Sequence, residues 1–357
     1  MDIMESRDNI VLQQDIEQIA KEFSAKEELN NCTVLVTGST GLIGSQVVKA
    51  LACMNRLSNK NMKVIAFARN EDKVKKVFAS LLDREDFSYV IGDINSPITL
   101  EEPVNYIIHG ASATSSKYFV SNPVETIRTA MDGTIHVLEY AKKQTNLLGM
   151  TYLSSLEVYG VPDKEKQTIG ENDYGYIDIL NVRSSYSEGK KMVECLCASY
   201  ASEYKIPVKI ARLSQTFGPG VEYEDGRVFA EFARCAVEKK DIILHTAGNT
   251  VRSYCYTKDA VRALLYILLY GNVGEAYNVT NMDTVVSIRE MAQLVADTVG
   301  QGEIAVKVDI PEDLASFGYN PEMVIRLDSQ KLMELGWNAT VDLEQMYRNM
   351  IAGFSMK

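Results

Sequence analysis

Tyr186 and Lys190 stand four residues apart in Tyr186-Ser187-Glu188-Gly189-Lys190. On a helix that spacing projects a phenol and an ammonium from one face. The positive charge favours the phenolate, so Tyr186 becomes a usable base near neutral pH. Ser155 lies at the end of the strand-like run MTYLSS, in Ser154-Ser155-Leu156-Glu157-Val158-Tyr159-Gly160. Its hydroxyl is placed to hydrogen-bond the same alcohol that Tyr186 deprotonates. Three residues from two elements then converge on one C–OH, as oxidation of an alcohol by proton and hydride removal requires.

A hydride needs an acceptor, and Thr37-Gly38-Ser39-Thr40-Gly41-Leu42-Ile43-Gly44 supplies a place for one. The segment follows a strand and opens a helix, the context in which a glycine pattern reads as a dinucleotide loop. Gly38 permits the tight turn, Gly41 close approach of a pyrophosphate, and Gly44 close helix–strand packing. The anion sits where the first N–H groups of the helix are unpaired. Thr40, Leu42, Ile43 and, past a later strand, Ala111 complete the expected cofactor contacts, with Asp93 and Ile94 against adenine. The second strand ends in Ala68-Arg69 instead of an acidic residue. A small residue and a cation suit a 2′-phosphate, which favours NADP over NAD. The alternative is an exposed surface arginine or one stacked on adenine.

These groups need a scaffold. TVLVTG, MKVIAFARN, FSYVIGDI, NYIIHGAS, MTYLSS and VKIARLS read as six strands, alternating with helices that include Leu42 to Leu57 and Pro123 to Lys143. Such alternation predicts an α/β fold, a Rossmann-type doubly wound parallel sheet. Residues 32–213 form the dinucleotide-binding domain on this reading. Residues 214–357 form a smaller, partly interwoven C-terminal substrate lobe, some of whose segments return to the first domain. Residues 1–31 carry Ile10, Val11, Ile16, Ile19, Ala20 and Phe23 at amphipathic spacing and predict one helical extension, packed on the body or on a second subunit.

The bulk composition narrows the partners. A net charge of −11 over 357 residues argues against nucleic acid. Apolar runs such as Ala263 to Tyr270 fall short of the roughly 20 residues that cross a bilayer, so a cytoplasmic protein with no membrane partner is expected. Six cysteines without a CxxC pair and three histidines imply no metal site. His109, His136 and His245 read as structural.

With the glycine loop, Ser155 and YxxxK in order, the chain resembles the extended short-chain dehydrogenase/reductase superfamily in its nucleotide-sugar epimerase, dehydratase and decarboxylase branch. HGASATSSKYFVSNPVETI, SSLEVYG, RSSYSEGKK, TFGPG, DGRVFAEF and VRSYCYTKDAV bring it nearest to the UDP-glucuronate decarboxylases. That resemblance implies that Gln215, Arg227 and Arg252 hold the nucleotide diphosphate and that Ser112 to Tyr118 border the sugar. It also implies a homodimer built on the helices starting near Pro123 and Tyr186.

The resemblance departs from the pattern at Gln215, which replaces asparagine, and at Leu156, which replaces a small polar residue. Its chemistry is transient oxidation at C4 followed by proton chemistry at C5 or loss of a C6 group. Glu157, two residues after Ser155, is the carboxylate placed for C5. Its alternative reading is a side chain that caps a helix or pairs with a nearby arginine. Leu156 cannot protonate a leaving group, which weighs against a dehydratase of the kind that uses an acid there and leaves a decarboxylase unimpeded. A 4-epimerase, an NADPH-dependent 4-keto-sugar reductase and a non-catalytic cofactor-binding scaffold are the remaining alternatives.

Overall fold

The structure is a computed structural model that describes residues 4–163, 165–311 and 322–354. Its strands are β1 Thr33–Thr37, β2 Lys63–Ala68, β3 Phe87–Ile91, β4 Tyr106–His109, β5 Gly149–Ser155, β6 Val208–Leu213, β7 Gln215–Phe217, β8 Ile242–Leu244, β9 Val251–Tyr256, β10 Ala276–Val279, β11 Asn281–Ser287 and β12 Val306–Val308. The helices are α1 Ile10–Glu22, α2 Leu42–Ser58, α3 Glu71–Val77, α4 Ser116–Ser121, α5 Pro123–Lys142, α6 Ser185–Tyr204, α7 Val228–Glu238, α8 Thr257–Tyr270, α9 Ile288–Leu294, α10 Gln330–Met333 and α11 Leu343–Phe354.

Seven strands form one sheet in the order β3-β2-β1-β4-β5-β6-β10, every pair parallel. Parallel strands covered on both faces must be apolar nearly throughout, and Val34, Leu35, Val36, Val64, Ile65 and Ala66 are all fully buried. Chain order reverses between β1 and β4, which opens a crevice at their C-terminal ends. Thr37 and His109 are registered opposite each other at that point. All six expected strands are present. β10, from far along the chain, joins the sheet beside β6, and α8 contributes Ala260, Val261, Leu264, Ile267 and Leu268 to the same hydrophobic cluster as β1 and α2.

The N-terminal segment packs on the body. Leu12, Ile16, Ile19, Ala20 and Phe23 are buried in that first cluster against α2 and α8, while Ile10 lies outside the buried stripe. Tyr256 donates to the Asp15 carboxylate at 2.5 Å and accepts from Asn349 on α11 at 2.8 Å, so α1, β9 and α11 meet at one phenol.

β7, β9 and β11 form a second sheet, and β8 pairs with β12. With α7, α9 and α11 they enclose a separate core in which Phe217 stacks on Phe229 and touches Tyr254 and Tyr347.

Candidate active site

Two glycines of the loop, Gly38 and Gly44, have no room for a side chain. Gly38 adopts φ +66°, and a Cβ there would lie 2.6 Å from the carbonyl carbon of Gly110 and 2.7 Å from the nitrogen of Ala111. A Cβ on Gly44 would lie 2.4 Å from the Gly38 carbonyl oxygen. Gly41 caps α2 without a side-chain hydrogen bond, and the first turn carries no acidic residue. These first-turn N–H groups therefore suit an anion. The cradle fits a dinucleotide pyrophosphate, with Thr40, Leu42 and Ile43 half-buried along it.

The loop is braced from below. Ser39, fully buried, donates to the Phe67 carbonyl at 3.0 Å. His109 bonds Thr37 Oγ1 at 2.6 Å through Nδ1 and Thr134 at 3.1 Å through Nε2, and complete burial pushes its pKa down to about 3. A neutral imidazole thus ties β1, β4 and α5 together. Arg69 is exposed at the end of β2, Ile94 is buried, and Asp93 accepts from the Asn95 backbone at 3.0 Å.

Ser155 ends β5 and accepts from the Glu157 backbone at 3.2 Å, starting a short 3-10 turn over Leu156–Tyr159. Tyr186 lies in the first turn of α6, and Lys190 one turn later. Lys190 Nζ donates to the Leu153 carbonyl at 2.7 Å and stands 5.7 Å from the Tyr186 ring centre. Burial drives the Tyr186 phenol well above its ordinary range, and the Glu157 charge adds to this; hydrogen bonding with Ser155 and the charges of Arg183 and Arg227 oppose it. Burial also lowers the Lys190 ammonium to about 8, against the pull of Glu194. In the protein alone burial outweighs the charges that favour the phenolate, so the phenol is raised and not lowered.

Glu157 takes the arginine pairing that was one of its two readings from the sequence. It lies close enough to Tyr186 to act on it electrostatically, and it pairs with an arginine. Arg183 Nη1 and Nη2 each donate to one carboxylate oxygen at 3.0 Å, and Ser187 Oγ donates to Oε2 at 3.1 Å. Arg183 and Ser187 lie on either side of Tyr186 in the chain. Phe119, on α4, stacks flat on the Tyr186 ring at 4.3 Å. Neither Arg183 nor Phe119 was expected from sequence, although the spacing of Arg183 and Ser187, four residues apart around Tyr186, was a usable signal.

A model of the NAD dependent epimerase/dehydratase family matches residues 34–280. The chain belongs to that family. UDP-glucuronic acid decarboxylase 6 of Arabidopsis thaliana is 31% identical over 321 residues, spanning 88% of this chain and 87% of that protein. Among solved structures, UDP-glucose 4-epimerase of Thermotoga maritima, with UDP-glucose, superposes with a TM-score of 0.75 at 22% identity over 90% of this chain and 98% of that one. dTDP-glucose 4,6-dehydratase of Bacillus anthracis, in complex with NAD, gives 0.73 at 21% identity over 91% and 96%. Such neighbours share the parallel-sheet fold.

In this member of the epimerase/dehydratase family the second lobe supplies three of the expected residues. Arg227 caps α7, approaches Tyr186 electrostatically and is held by Asp225 at 2.9 Å and 2.6 Å. Arg252, on β9, lines a cavity of about 260 Å³ together with Glu157, Arg183, Leu156, Val161 and Ile325. Gln215 lies on β7, registered against Tyr254. Ser112 lies in the loop after β4 and Tyr118 on α4 is exposed, whereas its neighbour Phe119 is the residue that reaches Tyr186. Leu156 is buried with Val158, Tyr159, Ile169, Ile325 and Leu327.

Proposed function

We propose that this enzyme oxidises C4 of a nucleotide sugar transiently and then carries out chemistry at C5 and C6, with decarboxylation of UDP-glucuronate the best-supported reaction. The observation that carries this reading is the meeting of Ser155, Tyr186 and Glu157 across the end of β5 and the first turn of α6. Tyr186 takes the proton of the C4 hydroxyl, which Ser155 holds by a hydrogen bond. Lys190 places a positive charge beneath the phenol. A nicotinamide dinucleotide, held by Gly38, Gly41, Gly44 and the start of α2, supplies the redox chemistry when bound. Arg227, Arg252 and Gln215 hold the diphosphate, and Ser112 to Tyr118 border the sugar.

The decarboxylase relatives support the loss of a C6 carboxylate, a step that asks nothing of Leu156 because the 4-ketone itself drives it. NAD bound to a structural neighbour supports a nicotinamide cofactor, and Arg69 supports NADP. The chain acts in the cytoplasm as a homodimer; exposed Val120, Val124 and Ile127 near and on α5, and Met192 on α6, supply apolar surface for that assembly. The Glu157–Arg183 pair favours one second reading, a 4-epimerase, because a carboxylate occupied in this way need not act at C5.

Purified protein incubated with UDP-glucuronate, UDP-glucose, dTDP-glucose and GDP-mannose, with NAD or NADP, tests the proposal by mass spectrometry and NMR. Loss of carbon dioxide from UDP-glucuronate is the expected result. A product of unchanged mass would establish the epimerase, and loss of water a dehydratase.

A further inference from the structure

Glu157 lies on the turn that follows β5, whereas Arg183 and Ser187 belong to the segment that enters α6, and the three form a bridge between the two elements that carry Ser155 and Tyr186. The bridge has an unusual placement. It grips the carboxylate three residues before Tyr186 and one residue after it, so both flanks of the reactive residue are tied to the turn that begins at Ser155. Two parallel N–H···O bonds from a planar guanidinium fix the carboxylate in orientation as well as distance, which a single bond does not.

Arg183 is itself held. Its guanidinium carbon lies 5.2 Å from the centre of the Phe119 ring, whose other contact is the stack on Tyr186. Ser185 Oγ donates to the Phe119 carbonyl at 3.2 Å, so α4 cannot slide away from α6 without breaking that contact too. Asn181 caps the short 3-10 turn Val182–Ser184 by accepting from the Arg183 backbone at 3.0 Å, which sets where the arginine leaves the main chain.

We infer that Arg183 is a positioning residue: through the two-pronged bond to Glu157 it fixes the carboxylate beside Tyr186, so that the C5 step depends on Arg183 far more than C4 oxidation does. The inference rests on the proposed C4-oxidation chemistry for its kinetic consequence, and on geometry alone for the placement of Glu157. A lysine cannot form the parallel pair, and an alanine leaves Glu157 held only by Ser187.

The test uses the full-length protein with UDP-glucuronate and NAD or NADP. Arg183→Ala should reduce its cofactor in the first turnover within about five-fold of the wild-type rate and then hold it reduced, seen by its near-ultraviolet absorbance, while kcat for the final product falls about 100-fold, the size of effect that a misplaced group produces. KM should stay within about three-fold, and added guanidinium ion should restore at least about ten-fold of the lost kcat, since it refills the site of a positioning group. Arg183→Lys should fall between. In a crystal structure of Arg183→Ala, Glu157 should turn away from Tyr186 with α6 unmoved.

Unchanged kcat in Arg183→Ala overturns the inference. So does a loss that reduces C4 oxidation equally and is not restored by guanidinium, which would make Arg183 a general support of the fold. If the wild-type protein forms no product from UDP-glucuronate and reduces no cofactor even transiently, the C4-oxidation reading fails for this sugar, and the crystal structure still decides the placement: Glu157 unmoved in Arg183→Ala would sink it.

Discussion

Phe119 lies against Tyr186 with the ring planes 9° from parallel and the centroids 4.3 Å apart. A buried aromatic pair of this kind contributes about 1 kcal/mol beyond the area it covers. Its greater consequence is orientation, because the flat contact leaves the phenol free to move only within its own plane. Phe119→Leu keeps an apolar side chain and removes the flat surface. Its kcat should fall about five- to ten-fold, in proportion to the lost stacking energy, with a melting temperature lowered by about 2–4 °C, the share of that energy lost to the fold. Steady-state kinetics with the nucleotide sugar that the wild type consumes, beside a melting curve, checks this; wild-type kcat would mean that the stack does not orient the phenol.

Lys190 gives the enzyme a pH dependence. Burial lowers its ammonium from the ordinary 10.5 to about 8. In the proposed mechanism the charge that assists the phenolate is therefore present below about 8 and fades above it, and kcat should decline along an alkaline limb centred there. The stability consequence runs oppositely. Between about 8 and 10.5 the unfolded chain binds a proton that the folded one does not, so stability rises with pH in that window. Below about 8 the full cost of the buried charge is felt. Lys190→Met should then be inactive yet melt higher than wild type at neutral pH, with the advantage shrinking as pH rises past about 8. Melting curves across that range decide it, and a variant less stable at neutral pH would contradict the assignment.

Arg69 is exposed at the C-terminal end of β2, the edge of the cofactor crevice. A guanidinium meeting a phosphate forms charge-assisted hydrogen bonds worth about 1.5–3 kcal/mol. Arg69→Ala should raise KM for NADP about ten- to a hundred-fold and leave KM for NAD nearly unchanged. Equal effects on both cofactors would assign the arginine to adenine stacking; no effect on either would leave it as a surface charge.

What the sequence made legible divides by the reach of the signal. A β-branched run ending in glycine located β1, an apolar run ending in a charged residue located β2, and helix patterning placed α2 and α5 with C-terminal ends one residue from those observed. Each of these is a local property, decided within a dozen residues. The site was legible where its members share a motif, as with Tyr186 and Lys190. It was illegible where partners meet only through the fold. Arg183 bonds a carboxylate 26 positions earlier, and Arg212, almost fully buried, gathers Glu194, Tyr159, Tyr174 and the Glu171 carbonyl from three separate elements. No periodicity records such meetings. The place of β10 beside β6 was equally hidden, since a short strand carries no mark of which edge will accept it.

Asp15 and Tyr256 are a case of far longer range, 241 positions apart and joined by a 2.5 Å hydrogen bond. Burial raises the Asp15 carboxyl from the ordinary 3.8 to about 6, although the bond from Tyr256 and the charge of Lys258 resist the shift. A carboxyl raised in this way binds a proton in the folded protein that the unfolded chain releases, throughout the interval from 3.8 to about 6. Its ionisation therefore costs the fold stability above about 6, and that cost is relieved as pH falls through the interval. Asp15→Asn retains an oxygen to accept from Tyr256 and removes the buried charge. The variant should melt higher than wild type at pH 7 and converge with it below about pH 4, where the wild-type carboxyl is neutral in both states. A destabilised Asp15→Asn at pH 7 would show instead that the ionised carboxylate, with its bond from Tyr256 and its attraction to Lys258, holds α1 to β9 and α11 more strongly than burial opposes it.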